Sequence, residues 1–283
     1  MSKPLAEVMA IVNRTPDSFY DKGATFASEK ALLRIDGAVS AGASIIDIGG
    51  VKAGPGDDVS VAEEIDRVVP LIAAARGRHP DVTLSVDTWR APVAEAAIAA
   101  GADLINDTWA GFDPELVEVA GHHRVGYVCS HTGGVTPRTR PHRVHYDDVV
   151  ADVIAETTAL AERAASLGVP EERIFIDPTH DFGKNTYHGL ELLRRVDELV
   201  ATGWPVLMAL SNKDFVGETL YRGLYGADIT ERVPGTLAAT AWAAARGVAA
   251  FRAHEVAATV DVIRMTAAIQ GYMAPMHTVR GLA

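Results

Sequence analysis

The sequence predicts an α/β chain folded as a single (β/α)8 barrel, the TIM-barrel architecture. Three observations carry this expectation. Short apolar runs lack the alternation of half-exposed strands, as parallel strands covered on both faces do. Each run leads through a polar loop into a segment with helical spacing, eight times over with no linker between units. Polar groups stand at the end of each run, where barrel active sites lie. An open doubly wound sheet is the alternative, and it is disfavoured because no G-x-G-x-x-G turn opens the first helix.

The first strand covers residues 8–12, stops at Asn13 and opens into a polar loop that reaches Gly23. In residues 29–41, Leu32, Leu33, Ile35, Ala38 and Val39 recur at helical spacing, and Gly42 ends the helix. The second strand, 44–50, leaves through the Gly49-Gly50 turn toward a helix at 57–75. Strands at 84–88 and 103–107 precede helices at 91–100 and 114–120. A strand at 125–130 precedes a basic loop and a long helix at 146–167. Strand 173–177 is followed by one helix, 189–200, and strand 205–210 by an alanine-rich helix, 236–246. Strand 248–252 and helix 256–270 complete the series. Residues 1–272 are thus assigned to the barrel, and 273–283, with Pro275 and little periodicity, to a surface tail.

Length and composition are consistent with this. A 283-residue chain with 48% hydrophobic and 22% charged residues can fill one large core. No apolar run of about 18 residues is present, and residues 1–5 are too short and polar for a secretory signal, so a cytoplasmic location is expected. Cys129 is the only cysteine, which excludes an intrachain disulfide or thiolate cluster, and its apolar neighbours suggest packing. The net charge of −11 argues against nucleic acid or an anionic membrane as partner. A small anionic ligand would need local clusters of arginine, lysine and helix N-termini.

The strand ends carry Asn13, Gly49-Gly50, Asp87, Asn106, Ser130 with His131, Asp177, Ser211 with Lys213, and Arg252 with His254. Singly, each has a structural explanation, such as a helix cap for Asp87 or a packed core histidine for His254. Together they make a ligand face. Asp87, Asn106, Asp177 and Lys213 suit the donor and acceptor edge of a flat heterocycle. Asn13, Arg252 and His254 suit a phosphate or pyrophosphate, and Asn13 could also ligate a hard cation through its side-chain oxygen. Neither a Ser-His-Asp order nor a zinc-type histidine spacing stands out.

The segments Asn13-Arg-Thr-Pro-Asp-Ser-Phe19, Asp47-Ile-Gly-Gly50, Ser85-Val-Asp-Thr88, Ile105-Asn-Asp107, Asp177-Pro178 with Phe182-Gly-Lys184, Ser211-Asn-Lys213 and Arg252-Ala-His254 resemble the dihydropteroate synthases, in that family's order. The resemblance implies a barrel, usually a homodimer, that joins p-aminobenzoate to a pterin-methyl pyrophosphate with Mg2+. It implies that Asp87, Asn106, Asp177 and Lys213 hold the pterin. Asn13, Arg252 and His254 would hold pyrophosphate, with Asn13 also on the metal. In such a reaction pyrophosphate leaves, a pterin-stabilised cation remains and the amine attacks, so catalysis rests on stabilising the departing charge.

The chain departs from the family where that charge would be met. The family reads Gly-Gly-Glu-Ser-(Thr or Ser)-Arg-Pro-Gly; here Gly49-Gly50 is followed by Val51, Lys52, Ala53, Gly54, Pro55 and Gly56. The hydroxyl and arginine expected on the pyrophosphate are absent, a loss of roughly 3 kcal/mol, or about a hundredfold in rate, per charge-assisted contact. The family's valine after the first-loop asparagine is Arg14, its Gly-Gly pair is Lys22-Gly23, and its Ser-Arg-Lys is Ser211-Asn212-Lys213. Ala209 replaces a glycine beneath the ring, where a methyl crowds a stacked heterocycle. The glycine-rich sixth loop, Asp-Pro-Gly-x-Gly-Phe-Gly-Lys, becomes Asp177-Pro-Thr179-His180-Asp181-Phe-Gly-Lys184, and Trp109 replaces a small residue, to stack on a ligand or fill the pocket. Positive charge is relocated to Arg14, Lys22, Lys52 and the fifth-loop residues Arg138, Arg140 and Arg143, a possible anion loop.

Three readings follow. The first is a diverged paralogue with the pterin face kept, synthase activity weak or absent, and sulfonamide- or sulfone-type ligands still accepted. The second is a working synthase in which Arg14 or Lys52 replaces the arginine. The third is a non-catalytic binding protein for another anionic small molecule.

Overall fold

The computed structural model describes residues 5–15, 28–139, 145–224 and 228–280. Its elements run β1 (Glu7–Asn13), α1 (Ser28–Ser40), β2 (Ile45–Gly49), α2 (Val61–Arg78), β3 (Thr83–Asp87), α3 (Ala91–Ala99), β4 (Leu104–Asp107) and α4 (Glu115–His123). The second half continues with β5 (Gly126–Ser130), α5 (Val149–Ser166), β6 (Ile174–Asp177), α6 (Thr186–Arg194), α7 (Val196–Ala201), β7 (Leu207–Met208), α8 (Asp214–Leu220), α9 (Val233–Ala245), β8 (Ala250–Ala253) and α10 (Val256–Ile269). The strands form one parallel sheet in the order β6-β5-β4-β3-β2-β1-β8-β7. The bridge between Ile176 and Val206 closes the ring between β6 and β7.

The period of two along each strand separates two cores and places the site. Inward-facing Met9, Ile45, Leu104, Val128, Phe175, Leu207 and Ala250 form a plug inside the barrel. Stepping two residues toward the C-terminus from these positions gives Ile11, Asp47, Asn106, Ser130, Asp177, Ala209 and Arg252. The polar layer therefore sits directly on the apolar one. The outward-facing strand residues, such as Ala10, Ile46, Val86 and Ile176, pack with the helices into the larger core.

Several boundaries differ from those the sequence predicts. The helix α2 starts at Val61 rather than at residue 57, because Ser60 caps it by accepting from the Glu63 N–H at 3.2 Å. Asp148 caps α5 in the same way, accepting from the Val150 and Ala151 N–H groups at 2.9 and 3.0 Å, which moves its start from 146 to Val149. The single helix expected at 189–200 starts earlier, at Thr186, and is two helices, since Arg195 leaves helical geometry at φ −106 and ψ 23. Strand 205–210 shrinks to Leu207–Met208, and its neighbour Pro205 has no N–H to give to a ladder. Between β7 and the alanine-rich helix the chain inserts α8 and a 3-10 turn, Ile229–Arg232, neither of which the sequence pattern reveals.

Candidate functional site

The polar layer is one hydrogen-bonded network. Asp47 has no solvent exposure, yet its carboxylate accepts from Ser85 Oγ at 2.7 Å, Asn106 Nδ2 at 3.0 Å and Arg252 Nε at 2.6 Å. Arg252 also donates through Nη2 to Asp87 Oδ2 at 2.7 Å, and Thr108 Oγ1 donates to Asp87 Oδ1 at 3.2 Å. Asp87 caps no helix; the Ala91 N–H at the start of α3 is instead bonded to Asp113 at 2.8 Å. Asp47 belongs to a segment that carries the family resemblance but is not among the site residues the sequence singles out, because it stands within its strand rather than at the end. A carboxylate interrupting Ile45-Ile46-Asp47-Ile48 was the available signal.

Register brings the remaining groups together. Asp87 is opposite both Gly49 and Asn106, Asn13 is opposite Gly49, and Asp177 is opposite Ser130. A Cβ built on Gly49 would lie 3.5 Å from Asp87 Cβ and 3.6 Å from Asn13 Oδ1, so the glycine keeps these two side chains side by side. A Cβ on Gly50 would come within 2.9 Å of Val68, which ties the turn closely to α2. A cavity of about 130 Å3 opens between Ile11, Ala209, Lys213, Arg252 and His254, with Asp181, Ser211 and Asn212 also on its wall. Asn106 Oδ1 and Ser130 Oγ are buried and have no hydrogen-bond partner among the described residues. Such atoms are costly unless something donates to them.

Burial sets the protonation of this face. It pushes Asp87 up to about 7 against the pull of Arg252, with the charge of Asp47 adding to the rise. It pushes Asp177 up to about 6, opposed by the Thr179 N–H and by Lys213. Burial works against the charge of Arg252, but Asp47 and Asp87 hold the guanidinium protonated. Cys129 is fully packed, and burial drives its thiol far above the usual range, so it is no nucleophile.

Loop six is fastened from behind by Lys184. Its Nζ lies 2.7 Å from His131 Nδ1 and donates to the carbonyl oxygens of Phe182, His131 and Thr179 at 3.0, 3.1 and 3.3 Å. Burial lowers Lys184 to about 7 and His131 to about 4, the latter helped by the Lys184 charge. His131 Nε2 faces Asp152 at 2.7 Å, with Glu156 at 3.4 Å. With an ammonium on Nδ1, Nε2 carries the proton and donates to Asp152. This suits a tie between β5 and α5 better than a metal centre.

The altered positions separate. Trp109 is 3% exposed and meets Trp89 and Phe182 edge to face, at 6.3 and 4.7 Å between centroids, so it fills space between loops. Arg14 is buried and donates from Nε to the Arg67 carbonyl at 3.2 Å, while Arg67 donates to the Gly50 carbonyl at 2.8 Å. Arg14 thus bears on the base of loop two, and burial together with Arg67 lowers its pKa. Ala53 is exposed, and among the described residues a Cβ on Gly54 would meet only Lys52 Cε, at 4.0 Å. Asn212 has φ 55 and donates through Nδ2 to Glu255 at 2.9 Å, and Ser211 Oγ donates to the same carboxylate at 3.0 Å. Arg138 is half-buried at φ 62; Lys22, Arg140 and Arg143 lie outside the described residues.

A parallel barrel with a polar cavity at the strand C-termini defines a small-molecule site of the TIM-barrel kind. The sequence pattern of pterin binding enzymes matches residues 9–254, and the chain belongs to that family. It is 62% identical over 282 residues to the inactive dihydropteroate synthase 2 of Mycobacterium tuberculosis, covering 98% of this chain and 87% of that protein. It is 38% identical over 260 residues to the dihydropteroate synthase of Streptococcus pyogenes, covering 91% and 93%. The structure of Xanthomonas albilineans dihydropteroate synthase in complex with 7,8-dihydropteroate superposes with a TM-score of 0.81 at 38% identity, over 94% of each chain.

Proposed function

We propose that this chain is a dihydropteroate synthase homologue that keeps the heterocycle pocket but has weak or no synthase activity. The second loop carries the proposal: Ala53 and Gly54 stand where the family places the hydroxyl and guanidinium that meet the leaving pyrophosphate. Asp87, Asn106, Asp177 and Lys213 would hold the pterin, and the unpartnered Asn106 Oδ1 supports a ligand with N–H donors on its edge. Asn13, Arg252 and His254 would face the pyrophosphate. A Mg2+ accompanying it would be held through Asn13 Oδ1, a hard oxygen that Gly49 leaves approachable, and would supply neutralisation of the leaving group. Sulfonamide- or sulfone-type compounds would serve as probes of the neighbouring amine site.

A homodimer belongs to the same reading. An apolar recess of about 310 Å3 among α6, α8 and α9, with Leu220 and Trp242 at its edge, supports it. A cytoplasmic location is also proposed. Among the described residues, no helix is long and apolar enough to cross a membrane.

The test is restoration. Gly54 has no left-handed backbone angle, and among the described residues its Cβ direction meets only Lys52 Cε at 4.0 Å, so the backbone there accepts a side chain. The pair Ala53→Ser with Gly54→Arg should raise turnover of pterin pyrophosphate and p-aminobenzoate by about a hundredfold or more. Wild-type turnover already equal to that of an active relative would overturn the proposal. The position of Lys52 Cε beside Gly54 favours a second reading, in which Lys52 replaces the arginine. Lys52→Ala separates the two: loss of a substantial wild-type rate supports the second, and an unchanged low rate the first.

A further inference from the structure

The ion pair between Lys213 Nζ and Asp181 Oδ2, 3.0 Å apart, joins loop seven to loop six across the cavity wall. We propose that Asp181 is a built-in competitor for Lys213 and so determines which edge of a heterocycle the pocket accepts. The inference rests on the reading above that the pocket takes a heterocycle.

Both partners are presented by fixed backbone. Ahead of Asp181, Thr179 is held at φ 47, its N–H bonded to Asp177 Oδ1 at 2.8 Å. Behind it, Gly183 packs so closely that a Cβ would lie 2.4 Å from the Thr132 carbonyl oxygen, and Lys184 is bonded to three carbonyls of the surrounding loops. Lys213 opens α8 directly after Asn212, which is bonded to Thr236 and Glu255. The two side chains are 23% and 29% exposed. A pair so placed is shielded enough to matter and open enough for a ligand to contest it.

The other cation on this wall, Arg252, is already shared by Asp47 and Asp87. A ligand that offers an acceptor, such as a ring carbonyl, must therefore take Lys213 from Asp181. A ligand that offers N–H donors meets Asn106 Oδ1, which has no partner among the described residues, and the carboxylates Asp87 and Asp177, whose bonds from Arg252, Thr108 and the Thr179 N–H leave lone pairs to accept further donors. The pocket should favour donor-rich edges and penalise acceptor-rich ones.

Calorimetry on the full chain tests this with two probes, 6-hydroxymethylpterin, which carries a ring carbonyl, and 2,4,6-triaminopyrimidine, which offers N–H donors but no carbonyl. Asp181→Asn, nearly the same in shape, should bind the pterin about tenfold more tightly than wild type, with triaminopyrimidine unchanged or weaker. Asp181→Glu should stay near wild type, and adding Lys213→Met to Asp181→Asn should erase the gain. Equal pterin affinity in wild type and Asp181→Asn would overturn the inference alone. Equal tightening of both probes would also overturn it, as mere unblocking of space. Absence of pterin binding in wild type and every variant would overturn both this inference and the pocket reading beneath it. Thermal melts confirm that each variant is folded.

Discussion

Asp47 is wholly buried and three donors converge on its carboxylate, one of which, Arg252, brings charge. Removing Asp47 strands the Asn106 amide and leaves the Arg252 guanidinium with Asp87 as its one carboxylate partner among the described residues. Asp47→Ala should therefore cost about 3–5 kcal/mol, read as a loss of denaturation midpoint, far more than truncation of an exposed acid. Tyr221 presents the opposite case. It ends α8 at φ 53 with its side chain in solvent, a left-handed position where glycine has no Cβ to strain. Tyr221→Gly should stabilise the fold by about 0.5–1 kcal/mol, measured by chemical denaturation, and a destabilised variant would contradict this.

Among the elements, the seam between β6 and β7 is the weakest part of the ring. There the ladder is reduced to the Ile176–Val206 bridge and the bond from Ile176 N–H to the Pro205 carbonyl at 2.9 Å, while β1 and β2 pair along five residues. Amide exchange at Leu207 and Met208 should be faster than at Ile46 and Ile48; equal protection would show that loop contacts above the seam close it fully. The same elements show what the sequence made legible. Continuous apolar strands, each followed by a segment with helical spacing, disclose the barrel and the strand-end residues Asp87, Asn106, Asp177 and Arg252, since burial on both faces leaves a compositional trace. The α6–α7 break did not show, because apolar spacing continues through Arg195 while the break is made locally. Nor did α8, whose seven residues are too few for a period to register. Asp181, Glu255 and Lys184 act through partners distant in sequence, and only the folded loops bring these together.

For the molecule as a whole, the carboxylates of the ligand face link function to pH. Asp177 and Asp87 have folded values of about 6 and about 7, above the ordinary carboxylate range. They contribute stability that is fully present below that range and is lost as pH rises through those values. The stability of wild type relative to Asp177→Asn should accordingly fall as pH rises from about 4 through about 6. Ligand affinity should run the other way, since a carboxylate must be ionised to accept from two N–H donors, so pterin binding should strengthen over the same interval. The account as a whole joins a retained pocket to a leaving-group loop stripped of its contacts. The most direct measurement is therefore binding and turnover on one preparation, calorimetry with 6-hydroxymethylpterin beside a synthase assay with pterin pyrophosphate and p-aminobenzoate. The account predicts measurable pterin binding with turnover at least about a hundredfold below that of an active relative; turnover at the relative's rate, or no pterin binding, would contradict it.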